Sequence, residues 1–398
     1  VTPGAGVGRP ATGFESVSWL ELFYDLVMVA AIIVFAHAIS IDPHWPTVLR
    51  TAVMFSLLWW VWLSTTLLVN VDPRAGALRR AVVFAQMLTV VLLIIVAAHA
   101  PTLWQVPLSP LIGVLLLLAA LAHELTRRTR PDLVPFAGRR RNELLLAGVL
   151  IAVTGVAPDA LALAFWLVAA VVLVAPVLTH RFDRGLPESG HDAGHLAERV
   201  TALTTIVLGE TFIRVALSGA ERHLYEINFV VVTLEFVVVF AVWIAYMDQI
   251  GRRGLPLGSL AQRWWTVAHL PLHLGIIGAA VGMGAFATLR RTADLTEGDI
   301  WIMTVPLALT FVSLAVLGLL GPRPLRTGAF VVYLVVAALL VAVAEVTWWS
   351  PQVTILEGTA GFGVVAAGGV LVSWALDRRA RVPGAEFEAE PLRPPATG

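Results

Sequence analysis

Twelve apolar stretches, most close to twenty residues long and separated by short polar connections, limit what this chain can fold into. A helix needs about 20 apolar residues to cross a bilayer, and in hydrocarbon only helices and closed barrels satisfy every backbone N–H and C=O. The stretches lie at 18–40, 46–70, 78–99, 107–126, 142–158, 160–180, 196–219, 227–250, 262–289, 299–320, 326–346 and 353–376. They predict an all-α polytopic transmembrane helix bundle of about 12 spans. Only Gly155-Val-Ala-Pro-Asp159 separates the fifth stretch from the sixth, so that pair can equally form one re-entrant hairpin. The chain is 58% hydrophobic and 14% charged, whereas soluble domains carry about 25% charged residues.

All 27 basic residues are Arg, and Cys is absent. Disulfides, thiolate metal sites, a cysteine nucleophile and lysine Schiff-base chemistry are therefore excluded. The formal net charge of zero and the lack of a long basic segment give nucleic acid no footprint. The arginines are unevenly placed. With Arg9, the loops after even-numbered spans and the tail on one side, that side holds 21 arginines against 3 (Arg222, Arg290 and Arg291), while Arg50, Arg199 and Arg214 fall within spans. By the positive-inside rule this predicts an even span count with both termini cytoplasmic. Ala36-His-Ala38 imitates a cleavage box, but two carboxylates precede it, so no cleaved signal peptide is expected.

The expected organisation is a flexible cytoplasmic N-terminus at 1–16, a first six-span half at 17–180 and a cytoplasmic connection at 181–195. A second six-span half at 196–376 and a disordered cytoplasmic tail at 377–398 follow. Acidic residues near the starts of spans one and seven, and Trp before a polar residue at the ends of spans two and eight, are compatible with a 6+6 parallel pseudo-repeat. Aromatic belts and polar helix ends in general would give the same signs.

An ionised group in hydrocarbon costs roughly 2.5–3.5 kcal/mol even on the lenient insertion scale, so intramembrane charges mark interiors, wet cavities or ion pairs. Glu21 and Asp25 are one helical turn apart and share a face. Two carboxylates so close need a shared proton or an intervening cation. Arg199, beside Glu198, or the Arg79/Arg80 pair can supply that cation. The cluster reads as a proton- or cation-handling site or as an ion-pair staple between helices.

Glu210 and Arg214 have the spacing of a helical ion pair, which serves either as an insertion device or as a titrating group. Glu235 has no cation nearby in sequence and must find one in space or hold its proton. Asp248 and Glu198 lie within roughly 5 Å of the cytoplasmic ends of their spans, Glu210 and Glu235 roughly 20 Å in. His269 and His273 also share a face. Two His at this spacing need a third ligand to hold a metal, so a proton relay, a ligand contact or plain packing all fit. Gly278-x-x-x-Gly282 allows close helix approach. Trp59, Trp60 and Trp62 can line a pocket within span two. No resident metal or cofactor is called for.

Trp19-Leu-Glu-Leu-Phe-Tyr-Asp-Leu-Val27, Glu198-Arg199 followed by Ile206-Val-Leu-Gly-Glu210, and His269-Leu-Pro271 with Gly275 resemble the bacterial low-temperature-requirement protein A family. Trp59-x-x-Trp62, Thr66, Asn70, Asp72 and Tyr246-x-Asp248 are similar to further patterns of that family. The resemblance runs over roughly residues 14–290, and His273 departs from it, standing where the family carries an apolar residue. It implies a multi-pass protein of the bacterial cytoplasmic (inner) membrane and brings no biochemical activity with it.

Two functions lead for these residues, ahead of a membrane scaffold or sensor. One is a proton-coupled transporter or permease for a small solute, using Glu21, Asp25, Glu198, Arg199, Glu210, Glu235, Asp248 and His269 as proton-handling or substrate-binding groups. The other is an intramembrane enzyme using the same groups for acid–base cyclisation, isomerisation or group transfer on a lipophilic substrate. No phosphate loop, nucleophile elbow or dinucleotide fingerprint appears. The lipid bilayer is the expected partner in both.

Overall fold

The computed structural model describes residues 19–73, 76–99, 108–157, 159–178, 192–220, 229–256, 259–288, 297–321, 327–350 and 354–380. The expected flexible N-terminus, residues 181–191 of the 181–195 connection, most of the tail, and Arg222, Arg290 and Arg291 lie outside them.

Among the described residues, one long α-helix stands in each of the twelve apolar stretches. They are α1 (Trp19–Ile41), α2 (Trp45–Val71), α3 (Ala77–His99), α4 (Leu108–Thr129), α5 (Val134–Val153), α6 (Asp159–Leu178), α7 (Ala193–Ala220), α8 (Phe229–Gln249), α9 (Ser259–Thr288), α10 (Glu297–Leu320), α11 (Thr327–Trp349) and α12 (Ile355–Ala380). Ten are long and apolar enough to cross a membrane. The chain is thus a polytopic membrane helix bundle of ten to twelve spans.

α5, charged through its first half, is not among the ten. α5 begins at Val134 rather than near residue 142, and Arg139, Arg140, Arg141 and Glu143 occupy its first half. Only residues 144–153 are left apolar, about 15 Å of helix against about 30 Å of hydrocarbon. Its arginines have local partners: Arg140 pairs with Glu143 at 3.0 Å, and Arg141 reaches Glu124 at 2.8 Å. A single 3-10 turn, Thr154–Val156, follows α5. α6 is 20 residues long and apolar after Asp159.

Helix ends follow local chemistry. Pro43 stands in the break between α1 and α2. There the Asp42 carboxylate accepts hydrogen bonds from Thr47 and from the His44 ring. These two contacts, Thr47 first, hold the Asp42 carboxyl below the usual carboxylate range. Past α8 the chain turns at Gly254, whose φ of 71° is left-handed backbone that glycine adopts without a Cβ clash.

The helices fall into two compact units. The first comprises Val1–Ala31 with Ser56–Leu203, the second Ile32–Phe55 with Thr204–Gly398, so the division runs through α1, α2 and α7. In the first unit α3 packs on α4, α4 on α5 and α5 on α6. In the second, α8 packs on α12, and α9, α10, α11 and α12 pack in succession.

The α9–α10 seam depends on missing side chains. A Cβ at Gly278 would come within 2.7 Å of the Pro306 ring, and one at Gly282 within 2.6 Å of the Met303 Cα. Real Cβ atoms do not approach backbone so closely, so these glycines are what allow the two helices to touch.

Candidate functional site

In the first unit the polar residues converge by helical spacing. Glu21, Tyr24 and Asp25 share one face of α1, and Trp62, Thr65 and Thr66 share one face of α2 by the same i, i+3, i+4 rule. Arg199 of α7 meets both faces. Its Nη2 donates to Asp25 Oδ1 at 2.8 Å and to Thr66 Oγ1 at 3.4 Å. The Trp62 indole N–H donates to the same Asp25 oxygen at 2.7 Å. Asp25 is fully buried and Arg199 is 1% exposed.

Glu21 extends the cluster. Its Oε1 lies 3.8 Å from Arg199 Nε and 3.4 Å from His195 Nε2. The Tyr24 hydroxyl donates to Thr65 Oγ1 at 3.5 Å, and Thr65 in turn donates to Gln86 Oε1 at 3.3 Å. Two carboxylates therefore share one guanidinium, and Glu21 alone also meets an imidazole.

This cluster borders a cavity of about 330 Å³ whose wall includes Glu21, Tyr24, Thr65, Thr66, Arg79 and Arg199. Arg79 is anchored by Asp72, which accepts hydrogen bonds from it through both side chain and backbone carbonyl. Arg130 Nη1 holds the other Asp72 oxygen at 3.0 Å.

The second unit treats its polar groups differently. Glu210 Oε1 lies 3.9 Å from Arg214 Nε. That guanidinium spends its hydrogen bonds on the Ile33 carbonyl at 2.9 Å and the Ser40 hydroxyl at 3.3 Å. Glu235 is fully buried, and neither carboxylate oxygen has a hydrogen-bond partner among the described residues.

His269 is locked in one tautomer. Its Nδ1 faces the Trp265 carbonyl at 2.8 Å and must donate to it, leaving Nε2 to accept from the Tyr246 hydroxyl at 3.1 Å. His273 shares a hydrogen bond with Thr204 at 2.8 Å, and the two imidazole centroids are 6.1 Å apart. This unit also holds a larger cavity, about 530 Å³, walled mainly by apolar side chains such as Phe35, Val48, Phe55, Ile277 and Trp301.

Of the eight residues singled out by sequence, Glu21, Asp25 and Arg199 come together. Glu198 faces outward, because the residue after it, Arg199, points inward and successive helical positions diverge by about 100°. Asp248 pairs with Arg252 at 3.1 Å at the partly exposed end of α8. Sequence reading missed the Trp62 bond to Asp25, the Thr65–Gln86 link and the Asp72–Arg79–Arg130 cluster. The spacing of Trp62, Thr65 and Thr66 was the available signal for the first two.

Comparison with known proteins agrees with this architecture. The family model described as bacterial low temperature requirement A protein (LtrA) matches residues 16–368. An uncharacterized protein of Rhizobium meliloti (strain 1021) is 25% identical over 295 residues, covering 68% of this chain and 69% of that protein.

Proposed function

We propose a function from one premise: this chain belongs to the bacterial low temperature requirement A (LtrA) family, and is a bacterial polytopic membrane protein with buried charged groups. It works as a proton-coupled transporter or permease for a small solute in the cytoplasmic membrane, with both termini cytoplasmic. The observation that carries this reading is the buried Asp25–Arg199 pair, whose arginine lines the cavity of about 330 Å³. A charge pair serving architecture alone gains nothing from a cavity beside it. One serving a solute needs one.

Glu21 and Asp25 are the coupling carboxylates in this scheme, and Arg199 is the fixed cation they exchange against. Glu210, Glu235 and His269 provide proton-handling groups in the second unit; Glu198 and Asp248 stand at helix ends, where they exchange protons with water. The six-span halves at 17–180 and 196–376, as parallel pseudo-repeats, remain part of this proposal.

The test is flux in proteoliposomes under an imposed pH gradient. Solute uptake that follows the gradient, and is lost in Asp25→Asn, supports coupling. Flux indifferent to the gradient across a broad solute panel counts against it.

The apolar cavity of the second unit favours a second reading, an intramembrane enzyme on a lipophilic substrate. It holds about 530 Å³, within the range of small-molecule sites, and the buried Thr51 hydroxyl on its wall has no hydrogen-bond partner among the described residues. A product formed by purified protein and lost in Glu210→Gln would favour that reading over transport.

A further inference from the structure

Resting on the transport reading, we propose that the cavity beside Arg199 takes a small amphipathic oxyanion, a carboxylate or phosphate group on a compact apolar body. The anion enters with a proton, replacing Asp25 as the counter-ion of Arg199.

The cavity wall is cationic. Arg79, Arg80 and Arg199 line it against the single carboxylate of Glu21. Leu20, Val69 and Val83 supply an apolar side. Its volume of about 330 Å³ is at the small end of ligand sites. A compact body with one charged group fits such a chamber.

The second observation is the state of Arg199 itself. A guanidinium offers five N–H donors in a planar fork, and carboxylate and phosphate oxygens match that fork two at a time. Asp25 meets it with one oxygen only. Arg199 Nη2 bonds to Asp25 Oδ1 at 2.8 Å, whereas Nη1 has no hydrogen-bond partner among the described residues. Among the described residues Nε has only the 3.8 Å approach of Glu21. Asp25 Oδ2 likewise lacks a hydrogen bond among the described residues. The pair is thus under-bonded on both sides, although Arg199 is 1% exposed. An entering oxyanion can present two oxygens where Asp25 presents one, and the hydroxyl of Thr66, which accepts from Arg199, is a nearby donor.

The proton follows from the local balance at Arg199, where the groups in direct contact are already net negative although the wider wall is cationic. Glu21, Asp25 and Arg199 already carry two negative charges to one positive, with His195 the remaining titratable neighbour on α7. Arg79 and Arg80 face the cavity from α3, and Asp72, just past α2, is engaged by Arg79 and Arg130. A third negative charge would be unfavourable in so low a dielectric. The balanced exchange is the anion plus one proton plus the ionic Asp25–Arg199 pair, giving the anion–Arg199 pair plus neutral Asp25. The proton comes from water, no electron moves, and the Trp62 N–H can still bond to the neutral acid. Anion binding is therefore favoured as pH falls.

The full chain, purified in detergent, is titrated calorimetrically with benzoate, phenyl phosphate and inorganic phosphate, with tetramethylammonium as the cationic control. Each titration is run in two buffers of different ionisation enthalpy. Benzoate or phenyl phosphate should bind with uptake of about one proton, and inorganic phosphate more weakly for want of an apolar body. Arg199→Gln should weaken binding at least tenfold. Because that variant can fail to fold, Asp25→Asn is the second arm: it keeps the guanidinium, and should bind benzoate more tightly with proton uptake abolished.

Binding of tetramethylammonium without the anions overturns the proposal, as does anion binding with unchanged proton uptake in Asp25→Asn. The two levels separate cleanly. Oxyanion binding without pH-driven flux removes the transport reading and keeps the site. Coupled flux of a neutral or cationic solute without oxyanion binding does the reverse.

Discussion

Asp25 in the first unit and Glu235 in the second are equally hidden from solvent, yet they are held in opposite ways. Asp25 accepts an indole N–H and a guanidinium N–H on one oxygen. Glu235 has no hydrogen-bond partner among the described residues. An isolated ionised carboxylate in an apolar interior is so costly that such a group neutralises instead, whereas a paired one can remain charged. Burial alone therefore says little about what a carboxylate does. A charged pair can be broken by a competing ion and so can respond to a solute; a lone neutral acid responds only to a proton.

Removing half of the pair is the strongest way to test this contrast. Arg199→Met should destabilise the protein by about 3–5 kcal/mol, because it strands a buried carboxylate. The double change Asp25→Leu with Arg199→Met should recover most of that loss. Thermal unfolding in detergent reads both, and equal losses in the single and double variants would mean that the pair is not a unit.

The second unit should be more sensitive to packing than to charge. Gly282→Leu puts side-chain atoms where Met303 already sits, and overpacking of this kind costs about 1–3 kcal/mol. An unchanged unfolding temperature would show that the α9–α10 seam can open without penalty. Glu235→Gln should change stability by less than about 1 kcal/mol, since neither carboxylate oxygen has a hydrogen bond to lose among the described residues. A loss as large as that of Arg199→Met would reveal a charged partner and erase the difference between the units. Smallest of all is Asp248→Asn, which removes an exposed i, i+4 pair with Arg252 and should cost about 0.3–0.5 kcal/mol. A larger effect would move Asp248 from the periphery into the working set.

Much of this fold is visible in the order of residues. Each of the twelve apolar runs corresponds to a helix, and α5, with charges through its first half, is the one whose apolar part is too short to cross. The start of α5 was misjudged because Arg139, Arg140 and Arg141 look like a loop in one dimension, although arginine is a good helix former and Glu143 and Glu124 are within reach of two of them. At the site, the shared face of Glu21 and Asp25 was legible from spacing, and Arg199 stood among the candidate cations. Trp62 was read as pocket lining and as part of a family pattern but not as a donor to Asp25, because an indole N–H gives no sign in sequence of the acceptor it will find.

The amino-acid order by itself determined that this chain is a set of membrane-crossing helices, and which residues share each helix face. Both are local matters: the bilayer requires every backbone group to be satisfied within its own helix, and helical periodicity sets the faces. Only the tertiary structure decided that Asp25 meets Arg199 across 174 residues while Glu235 meets no hydrogen-bonding partner among those described. Periodicity says which side of a helix a group is on, but the helix packed against that side is chosen by side-chain volume and small-residue seams elsewhere in the chain.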